Sequence, residues 1–502
     1  MKTETTRFAQ TMSVKVFDIE ANKFVSIIHE IDAQELGIMP LDYIEIYCPR
    51  TKKRITTVVD TTKTMVKQDE IGLFLDIKEA LKVKEKEQVL VRASPQPQSV
   101  QFIRKKLWGH ELSPREIKAI IDDITQNKLT EIETSAFISA VFIHGNSLKE
   151  IVATTKALAA GGQRIRIPDR TIVDKHSIGG INGRASMILV PIIAAGGLLI
   201  PKTASRAITS AAGTADCMEV LANVELSIKQ IEKITKKVGG VIAWGGAVEL
   251  APADDKIIKV EHPLSLDPKS QVIASVLAKK YSVGAQYVVI DIPIGPETKI
   301  HSAQKARKME KRFVLVGKKL GMKIKVVLTN GKQPACQVFG ACLEAKNALE
   351  ILEGKEFGYL GKKSCELAGC LFEMTGKTPK GKGFEHAKNI LESGKALAKM
   401  KQIIKAQNGK IVDSTQIKPA KFKKIVRANR NGTIKELRVR KFAHTARRAG
   451  APNDKKAGVV ILVKNKEQVK KGVPLFEIYS SNQQKLELAF QYALQKKPAL
   501  IG

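Results

Sequence analysis

The sequence predicts an α/β protein: a helical lobe plus a mixed or parallel α/β lobe, with a β-rich N-terminal domain and a small β-rich C-terminal module. Three observations predict it. Three capping boxes follow one another between residues 113 and 150, apolar strand-like runs alternate with helical segments from Ile172 onward, and both ends of the chain are written in short β-branched runs. At 502 residues about three domains are expected from length alone. The 43% hydrophobic content is enough for a sizeable core.

The first strands are read from "SVKVFDI", "KFVSIIH", "YIEIYC", "RITTVV" and "EQVLVRA", separated by charges and turn residues, which suits a small barrel or sandwich. A linker, "ASPQPQS", follows. Three helices are then opened by Ser113 with Glu116, Thr130 with Glu133, and Ser147 with Glu150. In each, the hydroxyl and the carboxylate three residues later satisfy each other's backbone N–H groups. Ile117, Ile120, Ile121 and Ile124 recur at helical spacing, and Gly161 and Gly162 end the third helix. From Ile172 the segments "TIVD", "MILVPIIAA", "LLIPK", "GTADCMEVLA", "GVIAWGG", "YVVIDIPIG", "FVLVGKKLG" and "IKVVLTNG" alternate strand and helix, which argues for a largely parallel sheet with ligand loops at strand C-termini. After about Ile417 short strands return.

Composition bounds the partners. Lys and Arg number 84 against 50 Asp and Glu, a net charge of +34. Such a charge neutralises phosphates, but the lysines are scattered, aromatics are only 5%, and no nucleic-acid-binding motif is present. Steering of anionic substrates accounts for the same charge. The six cysteines, at positions 48, 217, 336, 342, 365 and 370, form no CxxC pair or metal-ligand spacing and read as reduced thiols. The opening "MKTETTRFAQ" has no signal-peptide core, and the longest apolar run, Met187 to Pro201, is too short for a bilayer. A cytoplasmic protein with no membrane contact is expected.

Two segments carry the chemistry. "VDKHSIGGINGRAS", Val173 to Ser186, crowds a lysine, a histidine, two serines, an arginine and three glycines between two apolar runs. Glycines let successive N–H groups converge on an anion, and the helix expected from Ser186 adds its positive end. It is neither a Walker A loop, since Gly179 and Gly183 enclose three residues and Arg184 follows, nor a dinucleotide fingerprint, since Ile178 stands where a glycine is needed. A plain strand-to-helix turn is the competing reading. The second segment, Ile200 to Leu221, places Ser205, Arg206, Thr209, Ser210 and Thr214 close together, with Asp216 and Glu219 beyond. Hydroxyls and an arginine so spaced suit an oxygen-rich ligand. Here the competing reading is a helix start capped by Thr214, with Glu219 merely solvated.

Four motifs in order, "VDKHSIGGINGRAS", "PKTASRAITSAAGTADCME", "WGGAVELAPADDK" and "SLDPKSQVIASVLAKK", resemble the thymidine phosphorylase family of nucleoside phosphorylases, and above all its archaeal AMP phosphorylase branch. The resemblance covers essentially the whole chain, from "MSVKVFDIEANKF" to "GAPNDKKAGVVILV". It implies a fold of the nucleoside phosphorylase type: a β-rich domain over 1–93, a helical lobe over 99–170 to which about 252–284 returns, an α/β phosphate-binding lobe over 171–251 and 285–415, and a C-terminal α+β module over 416–502. It also implies attack of inorganic phosphate on an anomeric carbon through an oxocarbenium-like transition state, giving free base and a sugar 1-phosphate. No cofactor or metal is implied; phosphate is a co-substrate. A homodimer or larger homo-oligomer is.

By the same resemblance, Lys175, Ser177, Ser186 and Thr214 bind phosphate. Gly179, the run Ser205, Arg206, Ala207, Ile208, Thr209 and Ser210, then Thr214, Ser275 and Lys299 contact the nucleotide, and Asp267 is the proton donor. Asp267 also precedes a helix start, where a capping carboxylate is the plain reading. Lys299 reads equally as a surface lysine, and His176 as a packing residue or a sugar contact.

Three departures matter. Val260 stands where thymidine phosphorylases grip the pyrimidine with an arginine, and Ala204 where they use a serine for phosphate. "INGRAS" differs from the Pro-Gly-Asn-Lys-Thr pattern of AMP phosphorylases, so that Arg184 is expected to supply the missing lysine's charge. The reading is phosphorolysis of nucleoside 5′-monophosphates, AMP foremost and CMP or UMP besides. The alternatives are a thymidine or pyrimidine nucleoside phosphorylase and, from another class, a basic nucleic-acid-binding protein on an inactive scaffold.

Overall fold

The structure, a computed structural model, describes residues 9–21, 23–264 and 266–502; most of the N-terminal stretch read for a signal peptide lies outside them. Its contacts divide the chain into two compact units, Met1–Gly161 with Pro252–Val272, and Gly162–Ala251 with Ile273–Gly502. In this division the segment Pro252–Val272 returns to the first unit.

In the first unit, strands β1 (Gln10–Phe17), β2 (Val25–His29), β3 (Tyr43–Cys48), β4 (Lys53–Thr62), β5 (Glu70–Phe74) and β6 (Gln88–Ser94) close a barrel in the order β1-β5-β2-β4-β3-β6. The pairs β1/β5 and β2/β4 are parallel. Alternation puts Met12, Val14, Ile44, Ile46, Val89 and Val91 inside. The barrel has one strand more than expected, β5, "EIGLF". A Cβ at its Gly72 would lie 2.3 Å from Phe17 Cε2, so the aromatic ring covers this strand where a side chain would stand.

Helices Ser99–Leu107, Pro114–Thr125, Glu131–His144 and Leu148–Ala160 follow. All three expected capping boxes are formed. The first helix was not expected, and its N-cap Gln98 makes no side-chain cap. Helix Pro252–Leu264 joins this lobe, where Lys256 Nζ donates to the carbonyls of Ile124 (3.2 Å) and Thr125 (2.7 Å). A cation there meets the negative end of helix Pro114–Thr125.

In the second unit, β7 (Val173–Ser177), β8 (Ile200–Ala204), β9 (Gly240–Trp244), β10 (Tyr287–Ile294) and β11 (Lys323–Asn330) all pair in parallel. They form two sheets, β11-β10-β7 and β8-β9, with the bridge Ile172–Leu199 between them. The strands are parallel as expected, and past the bridge Lys202 Nζ on β8 bonds the Lys175 carbonyl on β7 at 2.8 Å. Helix Ala185–Ala195 is buried almost all round. Strands β12 (Val338–Phe339), β13 (Phe422–Arg427), β14 (Gly432–Leu437), β15 (Gly458–Ile461), β16 (Gln468–Val469), β17 (Pro474–Ser480) and β18 (Ala499–Ile501) form two small sheets, β12-β15-β17-β13 and β16-β14-β18. Helices Val439–Arg448 and Gln483–Lys496 complete that module. No helix among the described residues is long and apolar enough to cross a membrane.

Candidate active site

Loops 178–184, 205–213, 245–251 and 295–302 leave the C-terminal ends of β7, β8, β9 and β10, where ligands gather on open α/β sheets. Gly180 has φ +101°, and a Cβ there would lie 2.7 Å from Thr298 Cα, so this loop and the 295–302 loop meet only through glycine. Gly179 next to it faces open space.

The unusual "INGRAS" residues are anchors. Asn182 is buried; its amide donates to the carbonyls of Cys336 and Val338 (2.7 Å each), and its Oδ1 accepts from Ala335 N (2.9 Å). Arg184 Nε donates to Glu344 Oε2 at 2.7 Å, and the same oxygen accepts Gly183 N at 2.9 Å. Arg184 therefore does not hold a free charge in place of the missing lysine: a buried carboxylate claims it, and the pair fixes the loop onto helix Ala341–Leu352.

Beneath the loop lies a cluster of buried charge that the sequence reading missed. Asp291 on β10 stands opposite Ser177 on β7. Its carboxylate accepts from Ser177 Oγ (2.8 Å), Thr329 Oγ1 (2.6 Å) and Lys363 Nζ (2.7 Å), with Lys175 Nζ at 4.0 Å. Asp174 accepts from Lys280 Nζ at 2.6 Å and Lys202 Nζ at 3.4 Å. Burial alone would raise both carboxyl groups, but the lysines hold Asp174 and Asp291 below the usual carboxylate range. With the Arg184–Glu344 pair, five cations (Lys175, Arg184, Lys202, Lys280, Lys363) face three carboxylates (Asp174, Asp291, Glu344). The surplus of two positive charges matches a dianion. A charged residue inside the apolar run "YVVIDIPI" was the available signal for Asp291; Lys363 had none.

The surplus strains its members. Burial, with Lys363 and Arg184 nearby, pushes the Lys175 ammonium down to about 8, and burial with Lys202 pushes Lys280 below the usual ammonium range. Burial and the lysines hold His176 neutral. An arriving anion favours the protonated lysines, so binding is expected to take up protons near pH 8 and to weaken as pH rises past it. Calorimetry with sulfate, whose charge is constant over this range, in buffers of different ionisation enthalpy reads this directly. A heat independent of buffer would place the anion away from Lys175 and Lys280.

The second segment is also firmly tied. Asp216 Oδ2 accepts from Ala207 N (2.7 Å) and Gly213 N (2.8 Å). Gly213, not Thr214, is the cap residue of helix Thr214–Glu219; Thr214 is its first helical residue and half-buried. Glu219 is not merely solvated: it takes Arg206 in two bonds of 2.6 Å and Lys455 at 2.8 Å. Arg206 also meets Glu225 (3.0 Å) and stacks over Trp244 (4.6 Å). Ser210 Oγ donates to the Ala212 carbonyl. Ser205, Ile208 and Thr209 are exposed.

Ser186 is buried in the first turn of helix Ala185–Ala195. Ser275 is half-buried in helix Lys269–Ser282, and Lys299 is exposed in the 295–302 loop. Asp267, in the first unit, precedes that helix's first residue by two positions. Among the described residues no group of three or more His, Cys, Asp or Glu could hold a metal. All six cysteines are free thiols, five of them buried.

Residues 100–162 match the helical bundle domain of a glycosyl transferase family and residues 169–397 its a/b domain; residues 433–497 match the pyrimidine nucleoside phosphorylase C-terminal domain. AMP phosphorylase 1 of Archaeoglobus fulgidus is 43% identical over 486 residues, 96% of each chain. AMP phosphorylase of Methanococcoides burtonii is 42% identical over 493 residues, 98% of this chain and 97% of that one. A crystal structure of anthranilate phosphoribosyltransferase from Thermus thermophilus superposes with a TM-score of 0.54 at 19% identity, covering 61% of this chain and 99% of that one, a likeness of fold. Near-complete coverage at such identity, with the three domains matched in order, shows that the chain belongs to the thymidine phosphorylase and AMP phosphorylase family, on its AMP phosphorylase side.

Proposed function

We propose that the protein cleaves nucleoside 5′-monophosphates, AMP foremost, with inorganic phosphate, releasing the base and ribose 1,5-bisphosphate. The buried surplus of two positive charges under the Gly179–Gly183 loop carries this reading, together with the AMP phosphorylases aligned over the whole chain. In it, Lys175, Ser177, Ser186 and Thr214 hold the phosphate. Ser177 donates to Asp291 in the structure, so it offers the phosphate its hydroxyl proton only by turning. Asp291 keeps three other cationic or hydroxyl partners when it does.

A phosphate oxygen bonds to C1′ as the bond from C1′ to the base nitrogen breaks, the electron pair leaves with the base, and Asp267 supplies the base with its proton. The exposed Ser205, Ile208 and Thr209, with Gly179, Ser275 and Lys299, receive the nucleotide. Arg206 and Ala207 shape that loop through their carboxylate bonds, and Ser210 through its bond to Ala212.

The match of residues 433–497 to a pyrimidine nucleoside phosphorylase domain favours a second reading, thymidine phosphorolysis. Release of free base from AMP, CMP, UMP and thymidine, with and without phosphate, separates them. Phosphate-dependent release from monophosphates alone supports the first reading, release from thymidine alone the second, and release from none overturns both.

A homodimer through the helical lobe belongs to the proposal. Trp108, Phe142 and Ile143 are 80%, 54% and 69% exposed, and the helix ends that carry them touch, His144 Nε2 lying 3.0 Å from the Leu107 carbonyl oxygen. Large apolar side chains clustered on a surface call for cover. Light scattering is expected to give at least a dimer for the parent and a monomer for Trp108→Glu combined with Phe142→Glu; a monomeric parent would sink the idea.

A further inference from the structure

Helix Val439–Arg448 of the C-terminal module reaches two of the ligand loops at once. Arg447 Nη1 donates to the carbonyls of Ile208 (2.9 Å) and Ser210 (3.2 Å). Two helical turns earlier, Arg440 donates from its backbone N to Glu297 Oε2 (3.0 Å) and from Nε to the Glu297 carbonyl (2.9 Å). The opposite face of the helix is fixed in the module's core, with Phe442 5.6 Å from Phe339 and 5.1 Å from Phe476 between ring centroids. Loop 205–213 is fastened to the same module twice more. Ala211 packs into its core, and Lys455 Nζ bonds Asp216 at 2.8 Å, whose other oxygen holds the Ala207 and Gly213 amides.

We infer that helix Val439–Arg448 is a strap that sets the positions of loops 205–213 and 295–300, with Arg440 and Arg447 as positioning residues for the nucleotide and not for inorganic phosphate. Both arginines bond chiefly to carbonyl oxygens, so they fix loop backbone and leave its outward hydroxyls to a ligand. None of their bonds reaches the Asp174 or Asp291 clusters, which hold the surplus positive charge. Without Arg447 the 208–210 stretch between those other anchors loosens, the nucleotide must order it on binding, and that entropy is subtracted from nucleotide affinity.

The kinetic half of this inference rests on the nucleotide reading proposed above; the structural half does not. In the substrate-free protein, Arg447→Ala is expected to speed amide hydrogen exchange across 205–213, and Arg440→Ala across 295–300. In turnover, Arg447→Ala is expected to raise KM for AMP about tenfold and leave KM for phosphate within about twofold, the scale of two lost hydrogen bonds. Arg447→Lys, which keeps one donor on the carbonyls, recovers most of the loss. Exchange equal to the parent's in both loops, or a KM for phosphate that rises in step with that for AMP, overturns the strap. A parent that releases no base from AMP overturns the nucleotide reading instead and leaves the exchange result to decide the strap.

Discussion

Asp267→Asn is expected to lower turnover of AMP by about 10²–10⁴-fold, the usual worth of a placed general acid. The amide has the carboxyl's shape and can still donate a hydrogen bond, but it has no proton to give up. A purine departs poorly as an anion, so the loss falls on breaking the glycosidic bond. The diagnostic arm is a substrate whose base leaves without a proton, such as the N7-methylated purine monophosphate. There Asp267→Asn should cost little. Equal losses on both substrates would mean that the residue acts through the start of helix Lys269–Ser282, as a capping carboxylate would.

Asp291→Ala is the second large effect. The carboxylate compensates Lys363 at 2.7 Å and Lys175 at 4.0 Å in a fully buried setting. Removing one member of a buried pair costs about 3–5 kcal/mol, because the other charge stays buried and alone. Hydrogen exchange in β7, β10 and β11 should report that loss locally. Asp291 also supports the charged form of Lys175, so its removal moves that lysine's titration below about 8 and takes away cationic charge at neutrality. The pH above which phosphate binds poorly should fall accordingly. A variant as slow to exchange as the parent, with an unmoved pH profile, would contradict the cluster described here.

Local signals were legible and distant ones were not. The boxes at Ser113, Thr130 and Ser147 each use partners three residues apart, and the glycine turn from Gly179 to Gly183 announces itself in a few positions. Helix Ser99–Leu107 escaped because it has no side-chain cap, and β5 because Gly72 breaks its alternation. Arg184 was assigned to phosphate on sequence position, but its true partner, Glu344, lies 160 residues away. The Asp174 and Asp291 clusters draw lysines from β8 and from helices Lys269–Ser282 and Gly358–Met374. No spacing rule brings those segments together. Lys175 and Ser177 could be named from a motif, whereas what makes their neighbourhood cationic could not.

The return of Pro252–Leu264 to the helical lobe sets an order of events at the ribosome. The barrel has all its strands once Ser94 has been made, so it can close while the rest of the chain is still being translated. The lobe that follows cannot be completed at Gly161, since the lysine that closes the end of helix Pro114–Thr125 is Lys256. At about 5–20 residues per second, synthesis leaves those helices waiting for seconds with an apolar face uncovered. A nascent chain halted anywhere in that interval lacks Lys256 and the helix that carries it, and a fragment cut after Gly161 inherits the same unfinished surface.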